Sequence, residues 1–312
     1  MGVQTSTASV AFANGYHGKQ VWMDYTAPIL NAKLYMKKGI NCNANLSVSV
    51  DGASLTYWTQ VDAGVKTDDL GQLHTAAAGQ IKGLKPRTVH ITKGEIIDIL
   101  IPAANMLAPN VGETYYAQAI MSAANRINES FVKRVEAGSA TIDAAGKVGA
   151  VTVNSGLGIL AVAADSGYSD ATSLKYDSTK PFESIAALMA AFKKRNADSA
   201  FRPTSLLVSS AVYADLLVKN LLIFKSIGGE EVYTFLGMDV TEVPELTVPV
   251  IMFHRDAVFG AANLNFVVEN AMDPSVPGGL SIKGELGHEE GVSDFGESFK
   301  GRLILKLAPA AA

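Results

Sequence analysis

The sequence holds a single cysteine, Cys42, in 312 residues. An intrachain disulfide and a thiolate metal cluster are therefore both excluded, and a reducing interior is the natural setting. No apolar run approaches the roughly 18–20 residues of a membrane-spanning helix, and no charged stretch leads into an apolar core as in a secretory signal. Without such a signal, the formal glycosylation sequons Asn45-Leu46-Ser47 and Asn128-Glu129-Ser130 are read as inert. Charge is sparse as well. Charged residues make up 18% of the chain and the net charge is −4, so the basic excess of a dedicated nucleic-acid binder is missing.

Local catalytic patterns are missing too. His254-Arg255-Asp256 and Asp294-Phe295-Gly296 spell the two short signatures of protein kinases. A kinase catalytic loop needs an Asn five residues after its Asp to hold a metal, and that position is Ala261. No Gly-rich loop with a downstream strand lysine precedes it, and only 16 residues follow Gly296. His254–Asp256 is read instead as a polar turn where an apolar strand reaches solvent.

There is no GxxxxGK[ST] phosphate loop and no GxSxG elbow. Gly156-Leu157-Gly158 lacks the third glycine and the following helix of a dinucleotide site. His17, His74, His90, His254 and His288 are scattered, with no pair at helical metal spacing. His288-Glu289-Glu290 could catch a cation, but is read as a solvated acidic loop. Asp165 and Asp170 flank a short turn without the alternating carboxylates of a calcium loop. The residues thus assign no catalytic, cofactor-binding or metal-ligating position, and the chain is expected to be no enzyme.

What is present is a sequence of contrasting textures. At 48% hydrophobic content, the chain can bury roughly three quarters of its unfolded surface. Residues 1–20 are small and polar and read as an extended arm. Leu46, Val48 and Val50 alternate up to Asp51-Gly52, and Leu55 and Tyr57 resume the alternation, which predicts a hairpin with a two-residue turn. Residues 62–88 read as a long excursion with four glycines, uncommon inside a compact domain. Strand texture returns over 89–102, with Lys93-Gly94 as a turn and Pro102 as its end.

Tyr116, Ile120, Ala124, Ile127, Phe131 and Val135 then recur at helical spacing, which predicts a helix over 113–137, stopped by Gly138 and about 37 Å long. Residues 139–180 read as short strands and turns. Pro181 opens a second helix, with Glu183 near its start and Lys193, Lys194 and Arg195 near its end, as the helix dipole favours. "TSLLVSS" (204–210) is a short buried strand, and Ser210 is expected to cap the helix that follows. Further on, Leu236, Met238 and Val240 alternate with polar neighbours. "VPVIMF" (248–253) is a continuous apolar strand and "NLNFVVEN" (263–270) alternates. Residues 271–297 read as loop-rich and acidic, and "GRLILKL" (301–307) as a last strand with Leu303, Leu305 and Leu307 on one face. No fixed-period repeat is visible.

This order resembles the layout of the major capsid proteins of tailed bacteriophages, the Hong Kong 97-type fold. Two segments carry the local likeness, "PTSLLVSSAVYADLLVKN" (203–220) and "GMDVTEVPELTVPVIMFHRDAVFGAANLNFVVE" (237–269). The resemblance implies an α+β chain with an N-terminal arm (1–45), an extended β-hairpin loop (46–103), a peripheral domain (104–155 and 265–312) carrying the long spine helix 113–137, and an axial domain (156–264). Gly228-Gly229 would sit near a symmetry axis, and the extended loop would lie over a neighbouring subunit.

The implied partners are other copies of the chain, as pentamers and hexamers of an icosahedral shell, with portal and scaffolding proteins. Packaged DNA would be contacted weakly and non-specifically, with no membrane and no cofactor. The implied location is the virion, after assembly in the host cytoplasm. Some family members crosslink a loop lysine to a neighbour; Lys82 and Lys85 lie in that region, and no crosslink is assigned to them. The chain as given begins with its arm, so any scaffold is expected to be separate or already removed. Three other readings stay open: a nanocompartment shell of the same fold loaded with enzyme cargo, an α/β enzyme with a site built from distant residues, and a tail or surface-layer protein. Physical reasoning favours a shell, since segments without a core of their own are tolerable when neighbouring copies order them.

Overall fold

The structure, a computed structural model, describes residues 26–35, 43–46, 54–59, 85–102, 111–155, 158–197, 201–227, 230–270, 280–292 and 304–309. Among them the helices are α1 (Ala27–Lys33), α2 (Val111–Ala137), α3 (Pro181–Arg195) and α4 (Ser210–Val218). The strands are β1 (Asn43–Leu46), β2 (Ser54–Thr59), β3 (Lys85–His90), β4 (Lys93–Ile101), β5 (Ala140–Thr141), β6 (Val151–Ser155), β7 (Gly158–Val162), β8 (Ser205–Val208), β9 (Ile223–Ile227), β10 (Glu230–Phe235), β11 (Met238–Glu242), β12 (Val250–Phe253), β13 (Val258–Asn270), β14 (Leu280–Val292) and β15 (Ile304–Lys306). The chain is a mixture of helix and sheet, as its sequence predicts.

Helix α2 organises one half. Its predicted apolar stripe, from Tyr116 through Ile120, Ala124, Ile127 and Phe131 to Val135, is buried throughout. The stripe lies on a four-stranded sheet of order β1-β13-β14-β4. Strands β13 and β14 form a long antiparallel pair from Val258↔Val292 to Asn270↔Leu280. Strand β4 runs antiparallel along β14, from Ile101↔Leu280 to Lys93↔His288. Its Ile97 and Ile101 point into the core, while Ile96 and Leu100 point out, the period-2 consequence of a pleated strand.

Gly138 ends α2, and its amide donates to the Arg134 carbonyl at 2.9 Å. A Cβ there would stand 2.4 Å from Val292 Cγ2, so this glycine serves close approach of helix end and sheet.

The other half is a seven-stranded sheet of order β5-β15-β12-β8-β11-β10-β9. At its centre β8 and β12 are buried along their whole length, as continuous apolar runs require. Helix α3 covers β12 and β15, burying Ile185, Leu188, Ala191 and Phe192. It begins at Pro181 with Glu183 in its first turn and ends on Lys193, Lys194 and Arg195, as predicted. Helix α4 packs beside β8.

Several local expectations are corrected. Residues 280–292 form a central strand; three glycines and four charged residues disguise it as loop, because the partners of the buried Glu289 and Glu290 lie on distant segments. Lys93 and Gly94 are the first residues of β4, paired with His288 and Gly287, and make no turn. Residues 47–53, which hold the turn of the hairpin expected at Asp51-Gly52, lie outside the described residues; on either side of them Leu46 lies opposite Ala262 in parallel β1–β13, and β2 pairs with β3.

Ser210 is the first residue of α4 and donates to Glu242 Oε1 at 2.6 Å, so it does not cap. Leu236 occupies the turn between β10 and β11 with φ 50°, followed by Gly237 at φ 84°. Its place in the alternation with Met238 and Val240 predicts strand, which a left-handed backbone cannot continue. Within the expected arm, α1 packs on α2 and β1 joins the sheet edge at β13. Residues 1–20, the excursion tip with Lys82, Gly228-Gly229, Leu303 and the Asp294–Gly296 triplet lie outside the described residues.

Candidate assembly surfaces and a buried ion cluster

The positions flagged in the sequence for chemistry, where they are described, make the contacts that follow. Residues 255–257 form a short helical turn directly after β12. The His254 ring meets Phe201 edge-to-face at 5.0 Å, and the Arg255 amide donates to Thr204 Oγ1 at 2.8 Å. Gly158 closes the β6–β7 hairpin with φ 110°. Asp165 accepts the Val148 amide at 3.0 Å and pairs with the Arg195 guanidinium, while Asp170 accepts the Tyr168 hydroxyl at 3.0 Å. Lys85 is the first residue of β3, opposite Thr59. Asn128, in one of the sequons, is buried with its amide engaged at both ends. Its Nδ2 donates to the Lys33 carbonyl at 3.0 Å and its Oδ1 accepts the Tyr35 amide at 2.9 Å. That geometry denies a glycosylating enzyme access.

His288-Glu289-Glu290 was read as a solvated loop, and the structure overturns this. The three side chains are 2%, 1% and 0% exposed, in the part of β14 that passes under α2. Each charge is answered by a cation of this chain, as buried charges require. Glu290 accepts Lys93 Nζ at 2.6 Å and meets His288 Nδ1 at 2.7 Å. Lys93 also donates to the Ser130 hydroxyl on α2. Glu289 is paired with Arg134 of α2, which donates a further bond to the Glu290 carbonyl at 2.7 Å. Glu95 is bound by Arg126 at 2.8 Å.

Burial alone would raise the Glu290 carboxyl, yet the hydrogen bond and charge of His288, with bonds from Lys93 and Ser130, hold it down at about 2. The cluster thus ties β4, β14 and α2 together. The sequence signal for it was weak: Ser130 and Arg134 fall one turn apart on α2, but nothing in the sequence pairs them with β14.

Among the described residues, two surfaces lack such partners. At the end of the seven-stranded sheet, β9 is an edge strand with Ile223 61% and Phe224 51% exposed. Val218, at the end of α4, is 81% exposed, and Leu236 is exposed in the β10–β11 turn. A sheet edge that carries apolar side chains invites another chain. The second surface is the β2–β3 ribbon, a two-stranded sheet paired to no other strand among the described residues. Such a ribbon is marginally stable on its own in water.

Comparison with solved structures returns phage capsids and a virus-like particle. The capsid of cyanophage P-SCSP1u is 13% identical, with a TM-score of 0.49 and coverage of 88% of both chains. The mature capsid of bacteriophage PhiM1 is 10% identical, with a TM-score of 0.47, covering 88% of this chain and 87% of that one. A virus-like particle from Pyrococcus furiosus is 11% identical, with a TM-score of 0.48, covering 90% of this chain and 95% of that one. No protein-family model and no curated protein matches the sequence. Among the described residues, no helix is long and apolar enough to cross a membrane.

Proposed function

We propose that this chain is the major capsid protein of a tailed phage, a non-catalytic subunit that assembles into an icosahedral shell around a double-stranded DNA genome. The observation that carries the reading is the β2–β3 ribbon, formed yet joined to no sheet of its own subunit among the described residues. A structure that small needs a surface to lie on, and in a shell the neighbouring subunit supplies it. The apolar edge at β9, Val218 and Leu236 supports the same reading, because copies around a rotation axis would cover it. The division of the chain into arm (1–45), extended loop (46–103), peripheral domain (104–155 and 265–312) and axial domain (156–264) belongs to this proposal. Strand β15 enters the seven-stranded sheet, so the last residues would tie the two domains together.

Capsomers of five and six copies, portal and scaffolding partners, and loose contact with DNA follow from the same reading. So does a location in the virion after assembly in the host cytoplasm. Size-exclusion chromatography with light scattering tests it, with the contents of any particle identified afterwards. Closed particles containing DNA support the proposal. Particles containing only protein cargo would point to a nanocompartment, and a monomer with a ligand pocket to an enzyme.

A further inference from the structure

We propose that the β2–β3 ribbon of one copy lies on the open face of the four-stranded sheet of a second copy, with Ile96 and Leu100 of β4 as its apolar bed. The inference rests on the shell reading, which requires copies of this chain to touch, and names the surface where they do.

The sequence of β4 calls for cover on both faces. An antiparallel strand with one face in water alternates apolar and polar residues, whereas a strand covered on both faces is apolar nearly throughout. Residues 96–101 read Ile-Ile-Asp-Ile-Leu-Ile. Ile97 and Ile101 are buried on the side that carries α2. Ile96, Asp98 and Leu100 alternate with them on the opposite face. There Ile96 is 82% and Leu100 42% exposed. The single subunit therefore covers only one face of a strand whose sequence suits two.

Charge and connectivity name the occupant. On this face the exposed charged residues of β4 and β14 are Asp98, Lys283 and Glu285, with Lys283 opposite Asp98 and Glu285 opposite Ile96. Acid exceeds base around the bed. The ribbon carries Lys85 and Arg87 and no acidic residue. In its register Leu55 stands opposite Val89, and Tyr57 opposite Arg87. It can bring apolar area to Ile96 and Leu100 and positive charge to Asp98 and Glu285.

Strand β3 ends at His90 and β4 begins at Lys93, so Ile91 and Thr92 alone separate ribbon from bed. Every copy carries both parts, and the ribbon of the same copy leaves Ile96 exposed. Ribbon on the bed of the next copy is a heterologous contact. Such a contact repeats head to tail and forms a ring when its rotation closes. It also gives a two-stranded ribbon, marginal alone, the third layer that it needs.

The test follows assembly of the full chain by light scattering over a range of concentrations, beside thermal unfolding of the unassembled subunit. Ile96→Ser is expected to leave the unfolding midpoint in place and to raise the concentration at half-assembly about tenfold. Charge reversal then identifies the occupant. Asp98→Lys with Glu285→Lys in the bed, or Lys85→Glu with Arg87→Glu in the ribbon, should impair assembly at least about tenfold, because like charges meet. The chain with all four changes should recover it. Assembly indifferent to Ile96→Ser, or four changes no better than either pair, overturns the proposal and assigns the face to another partner. Should a reversal variant fail to fold, Ile96→Ser decides alone. Oligomers that obey this pattern without closing into particles uphold the contact and remove the shell. Closed particles indifferent to every variant do the reverse, and a chain that stays monomeric removes both.

Discussion

Thr26 and Tyr116, 90 positions apart, share a buried hydrogen bond of 2.7 Å. It is the first of three ties that hold the segment before β1 on α2. The others are the two bonds made by Asn128, to the Lys33 carbonyl and from the Tyr35 amide. Residues 26–35 therefore belong to the subunit's own core, with Leu30 and Leu34 fully buried. A typical intramolecular hydrogen bond is worth about 1 kcal/mol. Asn128→Ala, which removes two, should cost about 2 kcal/mol, and Thr26→Val, which removes one, about half of that. Urea unfolding of the unassembled subunit measures both.

The contact between Gly138 and Val292 yields a paired prediction. Gly138→Ala puts a methyl where Val292 Cγ2 already stands, 2.4 Å away. Overpacking of that kind costs typically about 1–3 kcal/mol. Val292→Ala alone should be destabilising through its cavity. Combined, the two changes should cost clearly less than their sum, because the space vacated by one admits the other. A double-mutant cycle by urea denaturation reads the coupling.

Glu290 contributes to the subunit's stability against acid. Its carboxyl is held at about 2 in the folded state, below the value near ~4.3 of an unfolded glutamate. A depressed carboxylate contributes stability that is present above the unfolded value and is lost as pH falls through the folded one. Unfolding midpoints should therefore drop between pH 4.5 and 2. Glu290→Gln should be less stable than the unmodified chain at neutral pH, and should lose less of its stability over that acid interval.

What the sequence made legible follows from where each element finds its partners. The stripe from Tyr116 to Val135 is a local period, and the helix it predicts is observed with its six residues buried. Strands β8 and β12 are short apolar runs that only a sheet interior accepts. Strand β14 was hidden because its meaning is non-local. Glu289 and Glu290 look solvated until Lys93 and Arg134, more than 150 residues earlier, are brought over them. The β2–β3 pairing, inside the extended hairpin loop (46–103) that the resemblance implies, is not visible in the local pattern for a related reason. Asp51-Gly52 is a strong local turn signal, while the observed partner of Ser54–Thr59 is Lys85–His90, across the long excursion. Leu236 misled through its chemistry, since an apolar residue of alternating pattern is seldom found in a left-handed turn.

That conformation makes Leu236 informative. At φ 50° a leucine stores about 1 kcal/mol of backbone strain, which Asn tolerates better. Its exposed side chain adds to the apolar edge proposed to meet other copies. Leu236→Asn should raise the thermal midpoint of the isolated subunit while lowering the yield of assembled particles. A variant improved in both respects would remove this residue from the interface.

The central claim, that neighbouring copies complete this subunit, is tested most directly by electron cryo-microscopy of the purified chain under assembly conditions. The account predicts closed particles in which density for the β2–β3 ribbon lies on an adjacent subunit. A compact single chain with the ribbon packed against its own body, and no closed particles under any assembly condition, would contradict it.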